Sequence, residues 1–240
     1  MRALILNSGI GKRMGKFTKT KNKCMVEIGD GLSVLAWQIR LLKGAGITDV
    51  VITTGPFAKD LEHYITQKYP EINFVFCFNP LYDSTNYIYS IYLARNVLED
   101  DIVLMHGDLV YEESVLADIL SQKQSTMVID RTLPLPEKDF KAVIESGKIV
   151  KVGIEFFDYA FAAQPLYKLL KEDWLKWMRS IEQYCENNNR NVYAENAMND
   201  ISDTINLLPF DVNGRICTEI DNLDDLARVR EIMKSVLKNV

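Results

Sequence analysis

Between Gly9 and Lys23 the chain gathers two glycines at Gly9-Ile10-Gly11 and the basic residues Lys12, Arg13, Lys16, Lys19, Lys21 and Lys23, with no carboxylate from Lys12 to Lys23. Glycine lets a backbone take positive φ and approach a ligand closely, and the free N–H groups of such a loop point naturally at phosphate oxygens. The whole chain carries a formal net charge of -5, so this basic segment is a local reversal of sign that calls for an anionic partner. On the glycines alone, a tight strand-to-helix turn beside a solvated lysine face explains as much, because Gly-x-Gly spacings are common. Charge density favours a polyphosphate site. Asp108, just past an apolar run, and Asp221, just before a closing helical pattern, are each explicable as a turn residue or helix cap. Paired beside a phosphate loop they make better sense as Mg²⁺ ligands, since magnesium prefers carboxylate and phosphate oxygens.

These residues need a scaffold, and the hydrophobic pattern predicts one. Leu4 to Leu6 open a buried strand that breaks into the glycine loop. Ser33 caps a predicted helix running through Leu35, Ile39 and Leu42 to the stop signal Gly44-Ala45-Gly46. Strands are expected over 50–54, 74–78 and 102–105, with helical patterns at Leu61, Tyr64 and Ile65 and over 87–98. Strand and helix alternating in this way predict an α/β fold, a mostly parallel sheet with helices on both faces, whose ligands bind at the carboxyl ends of the strands. The glycine loop, Gly55, Asn79 and Asp108 then share one rim. From residue 126 the pattern changes to a strand over 127–130, a hairpin over 142–152 turning near Ser146-Gly147, a long amphipathic helix over 171–186 and another helix after Tyr193. A final amphipathic helix over 223–237 should turn Leu226, Val229 and Ile232 inward.

Composition bounds the function. With 240 residues, 48% hydrophobic and 25% charged, the chain can bury a sizeable core. No stretch approaches the apolar length of a membrane span, and Lys12 and Arg13 come too early for a signal peptide, so a cytoplasmic location is expected and no membrane partner. A pI near 5.2 argues against nucleic acid. Cys24, Cys77, Cys185 and Cys217 are too scattered for a zinc site and are expected to be reduced. His63 and His106 read as structural, and Trp37, Trp174 and Trp177 as core or interface residues. Oligomeric state is not readable from the pattern, which leaves room for a homodimer.

Leu6-Asn7-Ser8-Gly9-Ile10-Gly11-Lys12-Arg13-Met14, with Lys23 ten residues after Arg13, resembles the signature loop of the nucleotidyltransferases that join a nucleoside triphosphate to a phosphorylated small molecule. Asn7-Ser8 stand where that family usually has Ala-Ala, and Asn22 where it has Pro. Asp108 and Asp221 match the family's metal-binding aspartates. The segment 78–93, rich in tyrosine and carrying Asn79, Thr85, Asn86 and Ser90, is similar to the bacterial choline-phosphate and 2-aminoethylphosphonate cytidylyltransferases. The resemblance implies a Rossmann-like, GT-A-like mixed sheet with a small acceptor-binding lobe, in one nucleotidyltransferase domain over 1–240. Residues 1–125 would bind nucleotide, 126–215 the acceptor, and 216–240 would supply the metal-binding strand and closing helix. CTP and a small phosphate- or phosphonate-bearing acceptor are the implied partners and Mg²⁺ the implied cofactor.

By the same resemblance, Lys23 and Arg13 are the catalytic cations. Leu6, Asn7, Ser8, Gly9, Ile10, Gly11, Lys12, Asn79, Thr85, Asn86 and Gly107 would contact the nucleotide, and Tyr87, Phe140, Lys141, Tyr193, Glu195 and Asn196 the acceptor. Where the group has a Leu-Tyr-Trp-Asp-Asn type motif, this chain reads Val192-Tyr193-Ala194-Glu195-Asn196. Ala194 removes an aromatic wall and Glu195 keeps a negative charge, which leans toward a primary amine, as in 2-aminoethylphosphonate or phosphoethanolamine, over phosphocholine. Uridylyl or guanylyl transfer to a sugar phosphate is the enzymatic alternative. A nicotinamide-binding fold would want Gly-x-Gly-x-x-Gly and an acid closing the second strand, where this chain has Thr53-Thr54. A nucleotide-binding module without chemistry would have no need of Lys23, Asp108 and Asp221 together.

Overall fold

The computed structural model describes residues 1–238. Its core is a sheet of four parallel strands in the order β5-β4-β1-β6, formed by β1 (Arg2–Asn7), β4 (Asp49–Thr54), β5 (Asn73–Phe78) and β6 (Ile102–His106). A small hairpin of β2 (Glu27–Gly29) and β3 (Leu32–Ser33) follows the glycine loop. Helices α1 (Val34–Gly44), α2 (Ala58–Lys68) and α3 (Tyr87–Ala94) make the crossovers. The Ser33 hydroxyl caps α1 by accepting from the Ala36 N–H, as Ser/Thr caps do. The 87–98 pattern yields a shorter α-helix than its periodicity predicts, because the last turn, Arg95–Val97, tightens to a 3₁₀ helix.

Side chains of β1 alternate between two cores. Ala3 and Ile5 pack with α1, α2 and the closing helix, while Leu4 and Leu6 pack with α3 and the helices of the second half. Burial on both faces explains why β1 reads as a continuous apolar run without alternation. The fully buried Leu4 and Ile5 side chains each contribute about 1.5–3 kcal/mol.

Beyond β6 the sheet turns mostly antiparallel. β11 (Ala160–Leu169) lies against β6, and β8 (Thr126–Asp130), β9 (Lys141–Glu145), β10 (Lys148–Gly153) and β12 (Leu208–Asp211) extend the same sheet, with β12 parallel to β8, nine strands in all among the described residues. Pro165, which has no N–H to donate, falls where the β11–β8 register shifts. The β9–β10 hairpin turns at Ser146 and Gly147, both at positive φ, where it was expected.

A short ribbon connects the site, its first strand unread in the sequence and its second lying within the 216–240 segment expected to carry a strand. β7 (Leu109–Tyr111) pairs antiparallel with β13 (Cys217–Glu219), and α4 (Glu113–Ser121) follows β7. Helices α5 (Lys171–Glu186), α6 (Ala194–Asn199) and α7 (Leu223–Lys238) complete the chain. In α7, Leu226 and Val229 are buried as expected, but Met233, not Ile232, is the next residue turned to the core. A spacing of 226, 229 and 233 follows the 3.6-residue period better. Trp37, Trp174 and Trp177 are buried, each donating its indole N–H to a backbone carbonyl. All four cysteines are free. Among the described residues no helix is long and apolar enough to cross a membrane.

Candidate active site

The glycine loop leaves β1 at Asn7 and is pinned from both sides. Gly11 has a φ of 68°, and a Cβ there would lie 3.2 Å from both the Lys23 Cβ and the Thr18 Cγ2. Glycine is therefore required for the conformation and for the close passage of the Lys23 stem. The Thr18 hydroxyl donates to the Gly11 carbonyl at 2.9 Å. Asn22 donates to the Asn7 carbonyl at 2.9 Å and its side-chain oxygen accepts from the Cys24 N–H, capping the short turn that carries Lys23. At the end of β6, the Gly107 N–H donates to the Leu6 carbonyl at 3.0 Å. A Cβ on Gly107 would stand 1.7 Å from the Asn7 side-chain oxygen, so only glycine lets Asn7 lie across this turn. Buried Gln38 of α1 donates to the His106 and Leu109 carbonyls, both at 2.8 Å, and so clamps the segment bearing Asp108.

The β7–β13 ribbon brings the two aspartates together. Leu109 pairs with Glu219, and the Ile220 N–H donates to the Asp108 carbonyl at 3.0 Å, which leaves Asp221 beside Asp108. Lys23 Nζ donates to Asp108 Oδ2 at 2.6 Å and to Asp221 Oδ1 at 2.8 Å. Arg13 donates to the same Asp221 oxygen at 3.0 Å. Lys23, Asp108 and Asp221 are 13%, 20% and 17% exposed, against 67% for Arg13, so three of these groups are shielded while Arg13 reaches into solvent. Burial disfavours the charge on Lys23, but Asp108 and Asp221 outweigh it and raise its pKa. Burial likewise opposes the Asp108 charge, and Lys23 with His106 overcomes it, holding the carboxyl below its usual range.

Three concavities open along this rim. One of about 390 Å³ is lined by Leu6, Asn7, Gly9, Ile10, Gly11, Lys12, Arg13, Lys23, Gly107, Asp108 and Asp221, with Asn22 and Tyr82. A second, about 200 Å³, is walled by Tyr87, His106, Phe140 and Tyr193 and carries Asn86, Lys138, Asp139 and Glu219. It shares Arg13, Asp108 and Asp221 with the first. A third, about 180 Å³, takes in Leu6, Ser8, Gly9, Tyr82, Thr85, Asn86 and Tyr87. The rings of the second form a circuit, with centroids 4.9 Å apart for Tyr87–His106, 5.9 Å for Tyr87–Tyr193, 5.1 Å for Phe140–Tyr193 and 6.4 Å for His106–Phe140. Such faces suit a cationic group.

Four expected site residues stand back from these walls. Asn79 is buried and organises its turn, donating to Thr85 and Ser90 and accepting from the Leu81 N–H. Lys141 is fully buried and donates to the Pro136 and Asp139 carbonyls under the Phe157 ring. Glu195 faces inward from the first turn of α6 and accepts hydrogen bonds from the Tyr87 and Tyr167 hydroxyls. Its carboxyl oxygens are taken up by those tyrosines, and the side chain does not line the aromatic cavity. Asn196, next on α6, lines none of the three concavities.

His106 and Glu219 were missed. His106 Nδ1 and Glu219 Oε1 share a hydrogen bond of 2.9 Å, and ligand atoms of His106, Asp108 and Glu219 lie within 4.8 Å of one another. Burial and the neighbouring Asp108 push the Glu219 pKa up to about 7; burial lowers that of His106, but Glu219 more than compensates and raises it. The signal was present. His106 and Glu219 are each the last residue of a strand and each precede, by two residues, an aspartate already singled out in the sequence.

The sequence profile of the MobA-like NTP transferase domain matches residues 3–191. The chain is 24% identical to the CTP:phosphoglutamine cytidylyltransferase of Campylobacter jejuni, an alignment covering 94% of this chain and 98% of that protein. It is 23% identical to the choline-phosphate cytidylyltransferase of Streptococcus pneumoniae, over 98% of this chain and 99% of that protein. Among solved structures, the inositol-1-phosphate CTP transferase from T. maritima superposes with a TM-score of 0.83 at 22% identity, covering 100% of this chain and 97% of that one. The profile match over most of the chain shows that it belongs to the MobA-like NTP transferase family and is a nucleotidyltransferase.

Proposed function

We propose that this chain is a cytidylyltransferase that joins CTP to a small phosphate- or phosphonate-bearing acceptor with a cationic amine and releases pyrophosphate. The observation carrying this reading is that the cation-lined cavity and the aromatic cavity share Arg13, Asp108 and Asp221. A triphosphate in the first and an acceptor in the second would meet at those residues. The choice of cytidine rests on the named relatives.

The acceptor oxyanion is already a nucleophile, so attack on the α-phosphorus needs no strong base. Positioning and charge neutralisation suffice. Lys23 would donate to the α-phosphate and the incoming oxygen, and Arg13 with Lys12 to the β- and γ-phosphates. Asp108 and Asp221 offer oxygen donors converging on one ammonium, a donor set that fits a hard cation. Mg²⁺ bound there would supply positive charge to the departing pyrophosphate. Tyr87, Phe140 and Tyr193 would hold the cationic headgroup by their faces. Ser8, Thr85 and Asn86 line the smaller concavity and would meet the nucleoside.

The test is mass-spectrometric detection of the nucleoside-monophosphate conjugate across four nucleoside triphosphates and a panel holding 2-aminoethylphosphonate, phosphoethanolamine, phosphocholine, an amino-acid amide phosphate and sugar phosphates. A CMP conjugate of an amine-bearing acceptor is expected. Conjugates formed from UTP or GTP with a sugar phosphate would replace this reading with the sugar-nucleotide one.

A further inference from the structure

One ammonium, Lys23 Nζ, lies within hydrogen-bonding distance of both carboxylates, 2.6 Å from Asp108 and 2.8 Å from Asp221. We infer that Lys23 is an internal counter-ion that competes with a divalent cation for Asp108 and Asp221, and surrenders the pair when nucleotide phosphates offer its ammonium another partner. The inference rests on the reading of these aspartates as the metal pair.

Two shielded carboxylates side by side need a cation, and an ammonium with three donors can serve both at once. A metal ion engaging the same oxygens must displace those charge-assisted hydrogen bonds or sit against a like charge, and both weaken its binding. The Lys23 stem passes over Gly11 and lines the cation-rich cavity, so nucleotide phosphates bound there would offer its flexible four-carbon chain a second set of anions. Phosphate oxygens that take up the ammonium free the carboxylates for metal. By linkage, metal held by the carboxylates then favours the Lys23–phosphate contact, so the two ligands help each other to bind. Lys12 lines the same cavity and, among the described residues, forms an ion pair with neither aspartate, which makes it the control for charge alone.

Mn²⁺ alone is titrated into the full chain, and free Mn²⁺ is read by electron paramagnetic resonance, with melting temperatures recorded for every variant. Lys23→Met should bind Mn²⁺ at least ~10-fold more tightly than the native protein, whereas Lys12→Met should change affinity by less than ~2-fold. Lys23→Arg keeps a cation between the acids and should stay near native affinity. Lys23→Gln serves if the Met variant does not fold. Equal affinity in the native and neutral Lys23 variants, with Asp108→Asn and Asp221→Asn weakening the ion, overturns the counter-ion role and leaves the metal pair standing. Unchanged Mn²⁺ affinity in both aspartate variants overturns the metal pair, and the inference with it.

Discussion

Ile220 donates its backbone N–H to the carbonyl of Asp108 at 3.0 Å, and this bond extends the β7–β13 ribbon to the point where two distant carboxylates become neighbours. Everything proposed for the site follows from that convergence. Lys23 reads it out by donating to both aspartates.

Asp221→Asn should therefore lower kcat by roughly 10²–10³ or more, the scale of losing one preorganised electrostatic contact. Its melting temperature should stay close to native, because the residue sits at the rim and Asp108 still partners Lys23. Pyrophosphate release and thermal unfolding measured together check this; native turnover in the variant would remove Asp221 from the site.

Gly107→Ala should fail for a local reason. Its Cβ would collide with the Asn7 side-chain oxygen, so Asn7 must rotate out of a buried position or the turn must open. We expect a stability loss of about 1–3 kcal/mol and weaker nucleotide binding. Trimming the obstacle in Asn7→Ala/Gly107→Ala should recover most of both. Denaturant unfolding of the four proteins in a double-mutant cycle gives the coupling directly.

The aromatic cavity should be separable from the phosphate cavity. Tyr193→Ala and Phe140→Ala should each raise KM for the acceptor by ~10-fold or more, the scale of a desolvated cation–ring contact. KM for the nucleotide should move by less than ~2-fold, since neither residue lines the Gly9–Gly11 concavity. Parallel rises in both KM values would mean that the rings shape one undivided site.

Glu195→Ala tests whether the buried carboxylate acts through Tyr87. Removing it leaves the Tyr87 and Tyr167 hydroxyls without their acceptor, at about 1–3 kcal/mol for each group left unsatisfied. Stability should drop accordingly, and acceptor KM should rise because the Tyr87 ring loses its anchor. Equilibrium unfolding and the KM pair, compared with Tyr87→Phe, separate loss of fold from loss of wall.

How much of this was legible in the sequence depends on how local each signal is. The Gly9–Lys23 segment announced itself because its glycines and cations are close in sequence, β1, β4 and β6 because each is buried on both faces, and the half-buried β5 because Phe74 to Phe78 is a continuous apolar run. The β7–β13 ribbon did not, since three-residue strands carry almost no periodic pattern and their pairing joins remote segments. Asp108 and Asp221 were singled out by their position after and before regular elements and by the family resemblance, not by any local sign that they meet. Glu195 was not legible as an inward-facing residue for a different reason. A charged residue in the first turn of a helix can face either way, and the hydroxyls of Tyr87 and Tyr167, both remote in sequence, show that it faces inward. His106 was read as structural because two histidines are too few for a histidine-based mechanism, yet its partner Glu219 lies at the matching position before the second aspartate.

The most direct test is steady-state pyrophosphate release from CTP with Mg²⁺, with and without an amine-bearing phosphate or phosphonate, for the native chain and for Asp108→Asn. Release that requires both CTP and the acceptor, and that falls by orders of magnitude in the variant, is the predicted result. Release independent of any acceptor, or undiminished in Asp108→Asn, would contradict the account.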